Sequence, residues 1–294
     1  MRVLILGGNG MIGHKMYQVI SKVHNDTWVT LRKKISNYNF SKIYDSKRVI
    51  DKINLLDFEN LRNKLNKINP DLVINACGIT IRRGAEDVIS NTILINSALP
   101  HFLNEWVCLN NKRLIHFSTD CVFSGKKGMY NEGDLKDSID TYGLTKSVGE
   151  VINSSCTLTL RGSMIGRELE NKTELLEWFL QQQNNKIKGF SNAIYSGITT
   201  VKMAEIVLKI INEYPKLSGL YNITSKPISK YELLCLWNIY FKVNATIEPD
   251  KAYNSNKNLI SKRLFKKLKL EQPNWSNLIK QLAQDSIKNN NLYN

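Results

Sequence analysis

A few side chains in the middle of this chain have the types and spacing for proton transfer at a carbonyl. Ser118 and Thr119 end an apolar run, RLIHF at 113–117, and Tyr142 and Lys146 follow in the stretch YGLTKSVGE. Residues four apart share one face of a helix, so phenol and ammonium stand one turn from each other. An ammonium beside a phenol favours the phenolate and lowers its pKa, which makes a tyrosine a proton donor or acceptor near neutral pH. Hydroxyls at the end of a buried strand lie where open α/β sheets form their ligand crevice. A YxxxK pair is also an ordinary feature of amphipathic helices, so the elements around it must decide.

Those elements alternate. The run RVLIL at 2–6 reads as a central parallel strand and breaks into GGNGMIG, with Gly7, Gly10 and Gly13 evenly spaced. A helix starting near Met11 would carry Met11, Ile12, Met16, Tyr17 and Ile20 on its apolar side. Strand, glycine turn and helix together form a phosphate cradle: the glycines allow close backbone approach, and the helix start offers N–H groups. A second strand covers 27–32. Its end lies about 19 residues past Gly13, where an acidic residue would hold a ribose 2′-hydroxyl. Arg32, Lys33 and Lys34 stand there instead. An arginine suits a 2′-phosphate, so NADP(H) is the expected cofactor; the alternative is a solvated loop.

Residues 36–47 read as a patternless polar loop. Strands follow at 49–54 and 71–78, with a helix at 58–68 between them that Pro70 ends. A helical pattern at 86–109 contains Pro100, which should kink or split it. A sixth strand covers 156–166. Helices are expected at 173–183, 201–211 and 229–241, the last opening on a Ser229/Glu232 capping box, with a short strand at 219–225 and a basic amphipathic tail at 261–282. The helix carrying Trp178 is expected to be core. The fold class is α/β, a doubly wound parallel sheet of Rossmann type with a smaller, mostly helical C-terminal part covering the substrate. The cofactor domain is placed at 1–161, with 192–225 returning to it, and the substrate part at 162–191 and 226–294.

Composition sets outer bounds. The 294 residues are 42% hydrophobic and 23% charged, ordinary for a globular protein with a large core. No apolar run approaches the roughly 18–20 residues of a membrane span, and the N-terminal run reads as a first strand, not a signal peptide. Membrane insertion is not expected. The net charge of +15 would draw anionic partners, but the basic residues are dispersed, without an aromatic-interleaved block, so no nucleic-acid partner is expected. The five cysteines are odd in number and not closely spaced; they read as reduced thiols of a cytoplasmic protein. The four histidines lie off the motifs, and no metal spacing occurs.

The glycine turn, NACG at 75–78, STDCVFSG at 118–125 and YGLTKSVGE at 142–150 stand in order. Together they resemble the extended short-chain dehydrogenase/reductase family, most closely its dTDP-4-dehydrorhamnose reductase branch. The resemblance is strong over the N-terminal half and looser through RGSMIG at 161–166 and Gly197-Ile198-Thr199. It implies an NADPH-dependent reductase of a nucleotide-linked 4-keto-6-deoxy sugar, in surface polysaccharide precursor synthesis. Thr119, Tyr142 and Lys146 would be catalytic: Thr119 on the substrate carbonyl, Tyr142 as proton donor, and Lys146 on the phenol and the nicotinamide ribose. Gly7, Asn9, Gly10, Met11, Ile12 and Arg32 would bind the cofactor. So would Asn54 and Leu55 beside the adenine, where Asn replaces the usual Asp, and Ala76, Cys77, Gly78 and Ser118 along the dinucleotide. Thr80, Thr119, Asp120 and Met164 would meet the substrate. Met164 takes the place of a tryptophan that packs the sugar in rhamnose-forming relatives, and Asn96 also matches, as a structural residue. Cys121 replaces the glutamate of related dehydratases, which disfavours 4,6-dehydration. Lys15 replaces a glutamate that holds a bridging magnesium ion in some relatives, so no metal is expected; a homodimer is. A 4-epimerase on the same scaffold and a non-catalytic NADP-binding regulatory subunit are the alternatives.

Overall fold

The computed structural model describes residues 1–80 and 88–293. The first residues of the helical pattern expected from 86 lie outside them. Among the described residues the chain runs β1 (Val3–Leu6), α1 (Met11–Ile20), β2 (Thr27–Thr30), β3 (Val49–Ile50), α2 (Phe58–Ile68), β4 (Leu72–Asn75), α3 (Ile89–Ile93), α4 (Leu99–Leu109), β5 (Arg113–Ser118), α5 (Thr141–Val148), β6 (Thr157–Arg161) and β7 (Met164–Ile165). It continues through α6 (Leu175–Leu180), β8 (Lys186–Phe190), β9 (Ala193–Tyr195), β10 (Ile198–Thr199), α7 (Thr200–Glu213), β11 (Gly219–Asn222), β12 (Ile228–Ser229), α8 (Lys230–Phe241), β13 (Thr246–Asp250), β14 (Ser255–Asn256), α9 (Lys262–Leu268), α10 (Trp275–Lys288) and α11 (Asn290–Tyr293).

The main sheet has seven strands in the order β11-β6-β5-β4-β1-β2-β3. β1 pairs in parallel with both β2 and β4, and β4 with β5. The strand order therefore reverses beside β1, which makes β1/β4 the topological switch point where such sheets bind ligands. β1 and β4 are buried along their whole length, as strands covered on both faces must be.

The chain divides into two compact units. The first comprises Met1–Ser118, Asp140–Leu160 and Ala204–Leu220; the second comprises Thr119–Ile139, Arg161–Met203 and Tyr221–Asn294.

In the first unit, α2 starts on Asp57, whose carboxylate accepts from the Asn60 N–H at 2.9 Å, and ends on Asn69 in the left-handed region. The helix around Pro100 is not broken. A π turn, Leu94–Ala98, carries α3 into α4, and Pro100 sits in the first turn of α4, where a missing N–H costs little. Within 36–47, read as a patternless polar loop, Tyr38, Phe40 and Tyr44 are all buried, and Tyr44 packs edge-on to Tyr17 with ring centroids 4.9 Å apart. The third strand is cut to two residues because the chain turns through Lys52, which has positive φ.

The second unit contains small sheets beside its helices. β7 pairs with β10, β8 with β13, and β9 with both β12 and β14. Their two- to five-residue lengths left little alternation to read. The capping box of α8 is formed, with the Ser229 hydroxyl accepting from the Glu232 N–H at 3.1 Å. α6, the helix expected to be core, buries Leu176 and Phe179, while Trp178 itself is 37% exposed. No helix among the described residues is long and apolar enough to cross a membrane.

The reading of five reduced thiols is also corrected. Cys108 at the end of α4 and Cys156 before β6 form a disulfide, with Cα atoms 5.6 Å apart; Cys77, Cys121 and Cys235 are not disulfide-bonded. Forty-eight residues separate the two, which is why adjacency in sequence gave no hint of the pair. Alkylation of the denatured protein without reductant should therefore modify three cysteines, and with reductant five, read by intact mass. Five modifications without reductant would show that the bond does not form.

Candidate active site

The glycine turn is built by close approach. Gly7 has φ +82°, its N–H donates to the Thr30 hydroxyl at 3.0 Å, and the Gly8 N–H donates to the Thr30 carbonyl at 2.9 Å. α1 comes so near β1 that a Cβ on Gly13 would lie 2.1 Å from the Gly7 carbonyl oxygen, so only glycine fits. No side chain caps α1 at Gly10, and its first N–H groups, from Met11 and Ile12 on, face the turn as an anion site requires. The Tyr44 hydroxyl donates to the Gly8 carbonyl at 2.7 Å, pinning the turn from the segment that read as a plain loop. Its signal was three aromatics within an otherwise Asn-, Ser- and Lys-rich stretch. Asn9 is half-buried in the turn, and Arg32 is exposed just beyond β2. Asn54 uses its side chain to accept from the Leu56 N–H at 3.1 Å, while Leu55 packs on the core.

At the end of β4 a hydrogen-bonded chain sets the loop that follows. The Asn75 side chain accepts from the Cys77 N–H at 3.1 Å, which turns its amide NH₂ toward His116 Nδ1 at 3.2 Å. Burial, with lesser contributions from Lys146 and His101, holds the His116 pKa well below its ordinary value, so the ring is neutral and accepts. Ala76 is tied to β1, its N–H on the Leu6 carbonyl at 3.2 Å. Asn96, in the π turn, accepts from the Ile79 N–H and donates to the Ile79 carbonyl, both at 2.9 Å, and reaches the Thr145 hydroxyl at 3.2 Å. One amide thus clamps the stretch Gly78-Ile79-Thr80 to α5. A Cβ on Gly149 would lie 1.9 Å from the Asn96 carbonyl oxygen, which shows how closely the end of α5 meets the π turn.

α5 begins on Asp140, whose carboxylate accepts from the Gly143 N–H at 2.8 Å. Tyr142 lies half-buried in its first turn and Lys146 is buried one turn later. The Lys146 ammonium donates to the Phe117 carbonyl at the end of β5, at 2.7 Å. Burial lowers its pKa to about 8, against the pull of Glu150 and Cys77. The Cys77 thiol is pushed up to about 12 by desolvation, despite that ammonium, so it stays protonated. The Ser118 hydroxyl donates to the buried Glu150 carboxylate at 2.6 Å. Glu150, His116 and Asn75 were not singled out beforehand; each is polar within an apolar or motif-bearing run, the one signal that marks them.

In the second unit, the buried Thr119 hydroxyl accepts from the Cys121 N–H at 3.2 Å and donates to the Asp120 carboxylate at 3.3 Å. Burial raises the Asp120 pKa, while Lys230 and Lys257 pull it down. Met164 lies in β7, half-exposed and paired with Ile198 of β10. Among the described residues no group of three His, Cys, Asp or Glu side chains could hold a metal ion; the Lys15 ammonium donates to Gln18 at 2.6 Å.

The model of the RmlD substrate binding domain family matches residues 1–286. A spore coat polysaccharide biosynthesis protein of Bacillus subtilis is 23% identical over 241 residues, covering 80% of this chain and 75% of its own. A dTDP-4-dehydrorhamnose reductase of Aggregatibacter actinomycetemcomitans is 26% identical over 242 residues, covering 79% and 76%. The β subunit of mouse methionine adenosyltransferase 2 is 23% identical over 245 residues, covering 80% and 70%. Among solved structures, a dTDP-4-dehydrorhamnose reductase of Bacillus anthracis in complex with NADP superposes with a TM-score of 0.78 at 18% identity, covering 97% of this chain and 99% of that one.

A buried ammonium with a lowered pKa costs stability. The unfolded chain holds that proton to pH 10.5 and the folded one only to about 8. Below pH 8 the cost is complete, and it shrinks as the pH rises from 8 to 10.5. The shift corresponds to about 3 kcal/mol, offset by about 1 kcal/mol for the hydrogen bond to Phe117. Lys146→Met should therefore be more stable than the parent at pH 7 by about 2 kcal/mol in urea titrations, with the gap narrowing by pH 10. A gap that is absent, or that does not narrow, would mean the ammonium is not buried as described.

Proposed function

The chain belongs to the RmlD substrate binding domain family, and from that premise we propose that it is an NADPH-dependent reductase of a nucleotide-linked 4-keto-6-deoxy sugar, acting in the synthesis of a surface polysaccharide precursor. One observation carries the chemical part of this reading: a buried ammonium one helical turn from a tyrosine, in the helix that follows β5. A lysine anchored on a main-chain carbonyl in a dry setting is a poor structural choice and a good device for lowering a phenol pKa. The names of the bacterial relatives, a reductase of dTDP-4-dehydrorhamnose and a polysaccharide biosynthesis protein, support the substrate class.

The glycine turn fits a dinucleotide. The space that a Cβ on Gly13 would occupy is filled by the Gly7 carbonyl, and the uncapped start of α1 suits a pyrophosphate. Gly7, Asn9, Gly10, Met11 and Ile12 would hold it there, with Arg32 on a 2′-phosphate, Asn54 and Leu55 beside the adenine, and the 76–78 stretch along its length. When bound, NADPH supplies a hydride to the carbonyl carbon. The chain's own part is the proton. Thr119 donates a hydrogen bond to the carbonyl oxygen, Tyr142 gives that oxygen its proton, and Lys146 stabilises the phenolate left behind. An ammonium has three N–H donors, of which Phe117 takes one. Ser118 and Glu150 form a buried pair beneath the end of β5. Asp120, Thr80 and Met164 are assigned to the sugar.

The site of action is proposed as the cytoplasm, where the nucleotide sugars and NADPH of such a pathway are made, and the assembly as a homodimer. A disulfide is uncommon in that compartment, so the Cys108–Cys156 bond is a feature of the protein under oxidising conditions. The match to the methionine adenosyltransferase subunit favours a second reading, a non-catalytic NADP-binding regulatory subunit. A screen of the protein with NADPH against 4-keto dTDP-, UDP- and GDP-sugars separates the two: oxidation of NADPH with any of them supports the reductase. Tight NADPH binding without turnover of any supports the regulator.

Two variants test the assigned roles. Tyr142→Phe should lower turnover by about 10² to 10⁴-fold, the usual worth of a general acid, with NADPH affinity unchanged; retention of most activity would place the donor elsewhere. Arg32→Asp should weaken NADPH far more than NADH, and equal affinity of the parent for both cofactors would remove the argument for a 2′-phosphate site.

A further inference from the structure

The basic residues are dispersed over most of the chain, with one exception. Residues 251–270 hold six lysines, one arginine and no aspartate or glutamate, close to half of the net charge of +15. Five of these cations, Lys262, Arg263, Lys266, Lys267 and Lys269, lie on α9 or one residue past its end, and all five are exposed. The helix has two distinct sides. Leu264, Phe265 and Leu268 are buried in the second unit. At about 100° per residue they fall opposite Lys262, Arg263, Lys266 and Lys267. The Arg263 guanidinium rests 4.3 Å from the centroid of the Tyr221 ring. Among the described residues no carboxylate pairs with the ammonium of Lys262, Lys266, Lys267 or Lys269.

Such a helix opposes its own formation. Lys262 and Lys266, and Arg263 and Lys267, are i,i+4 pairs, where like charges repel. Lys262 and Arg263 stand in the first turn, where the helix dipole disfavours cations, and no acidic residue is there to offset them. The dipole favours only the cations of the last turn, Lys266 and Lys267. A helix needed only to cover Leu264, Phe265 and Leu268 would be more stable with mixed charges at its four outward positions. An anionic partner removes the repulsion and makes the cluster a contact surface.

The residue types select that partner. Four of the five cations are lysines, point charges without the planar fork by which arginine recognises single phosphates. No aromatic side chain stands at an exposed position of α9 to stack on a base. The apolar side of the helix is used within the protein, so the cationic side can adsorb on a broad surface but the helix cannot insert. A cluster of about four to eight Lys or Arg on an amphipathic helix is the composition that recognises anionic lipid. We propose that α9 is a docking surface for an anionic lipid bilayer, which holds the protein at the membrane by charge alone. This goes beyond the proposed reaction and does not rest on it.

The test is co-sedimentation of the full chain with vesicles of phosphatidylcholine, alone or mixed with phosphatidylglycerol. The parent should bind only the mixed vesicles at about 0.1 M salt and be released at about 1 M, where the screening length falls from about 10 Å to about 3 Å. Two variants of equal net charge are compared. One replaces Lys262, Lys266, Lys267 and Lys269 with Gln; the other replaces Lys22, Lys67, Lys216 and Lys280, all exposed elsewhere, with Gln. At about fivefold per charge near the bilayer, the first should bind on the order of a hundredfold more weakly, and the second nearly as the parent does. The first should also melt no lower than the parent, because the repulsion within α9 is gone. A parent that binds neither vesicle, binding that survives in the first variant, or equal losses in both variants would overturn the inference. So would tighter binding of the parent to duplex DNA than to the mixed vesicles, lost with the same four lysines, which would make the partner a nucleic acid.

Discussion

The Lys146 ammonium sits on the Phe117 carbonyl in surroundings that would prefer it neutral, and the first compact unit is arranged around that conflict. A charge removed from water needs fixed dipoles in place of solvent. The end of β5 offers a carbonyl, Glu150 offers a carboxylate, and α5 holds the stem in register with Tyr142. α5 is immobilised in turn by contacts that do not touch the lysine: Asp140 at its N-terminus, Asn96 on Thr145, and Ser97 on the Thr145 carbonyl at 2.8 Å. The π turn explains why two consecutive side chains of one helix can both reach α5. A widened turn redirects the residues that follow it, and such turns recur at functional sites.

The same sparing use of space governs the switch point of the sheet. β1, β4 and the start of α1 meet through backbone, with Gly7 and Gly13 removing the side chains that would separate them. Asn75 and Ala76 then carry the geometry outward, one to Cys77 and His116, the other back to β1. A neutral His116 suits this role. A charged imidazole there would add a second cation near Lys146 and could not accept from Asn75. Burial of the histidine thus keeps both the loop geometry and the lysine charge state.

Much of this was legible from residue types. β1 is a continuous apolar run, β4 is one up to Asn75, and β2 and β5 are strands rich in apolar residues; both glycine turn and YxxxK helix stand in motifs whose spacing has a mechanical reason. What escaped notice depends on contacts distant in sequence. The buried Tyr38, Phe40 and Tyr44 lie in a stretch without helical or strand period, and only the fold brings Tyr44 onto Gly8. Cys108 and Cys156 are joined because α4 and the approach to β6 converge. Pro100 is expected to kink or split the helical pattern; the sequence does not show that the interruption is a π turn, Leu94–Ala98, lying just before it. In the second unit the strands are so short that pairing partners, not sequence pattern, define them. For the site residues, the motif positions were readable, and the groups that hold them in place, Glu150, Asn75 and His116, were not, since an isolated buried polar residue has no period.

Buried charge takes two forms in this molecule. The half-buried Arg167 and the buried Glu177 form an ion pair at 2.7 Å, and the Glu168 N–H donates to the same carboxylate at 2.8 Å. That arrangement satisfies both partners and ties α6 to the segment before it. Lys146 and Asp120 differ in kind. Each is buried, each has its protonation equilibrium moved toward the neutral form, and the groups of opposite charge near it only partly reverse that movement. A scaffold under selection for stability alone would replace such groups with apolar ones of similar volume, which is commonly neutral or stabilising. Lys146, which meets the end of β5, and Asp120, just after it, are therefore carried at a cost in stability.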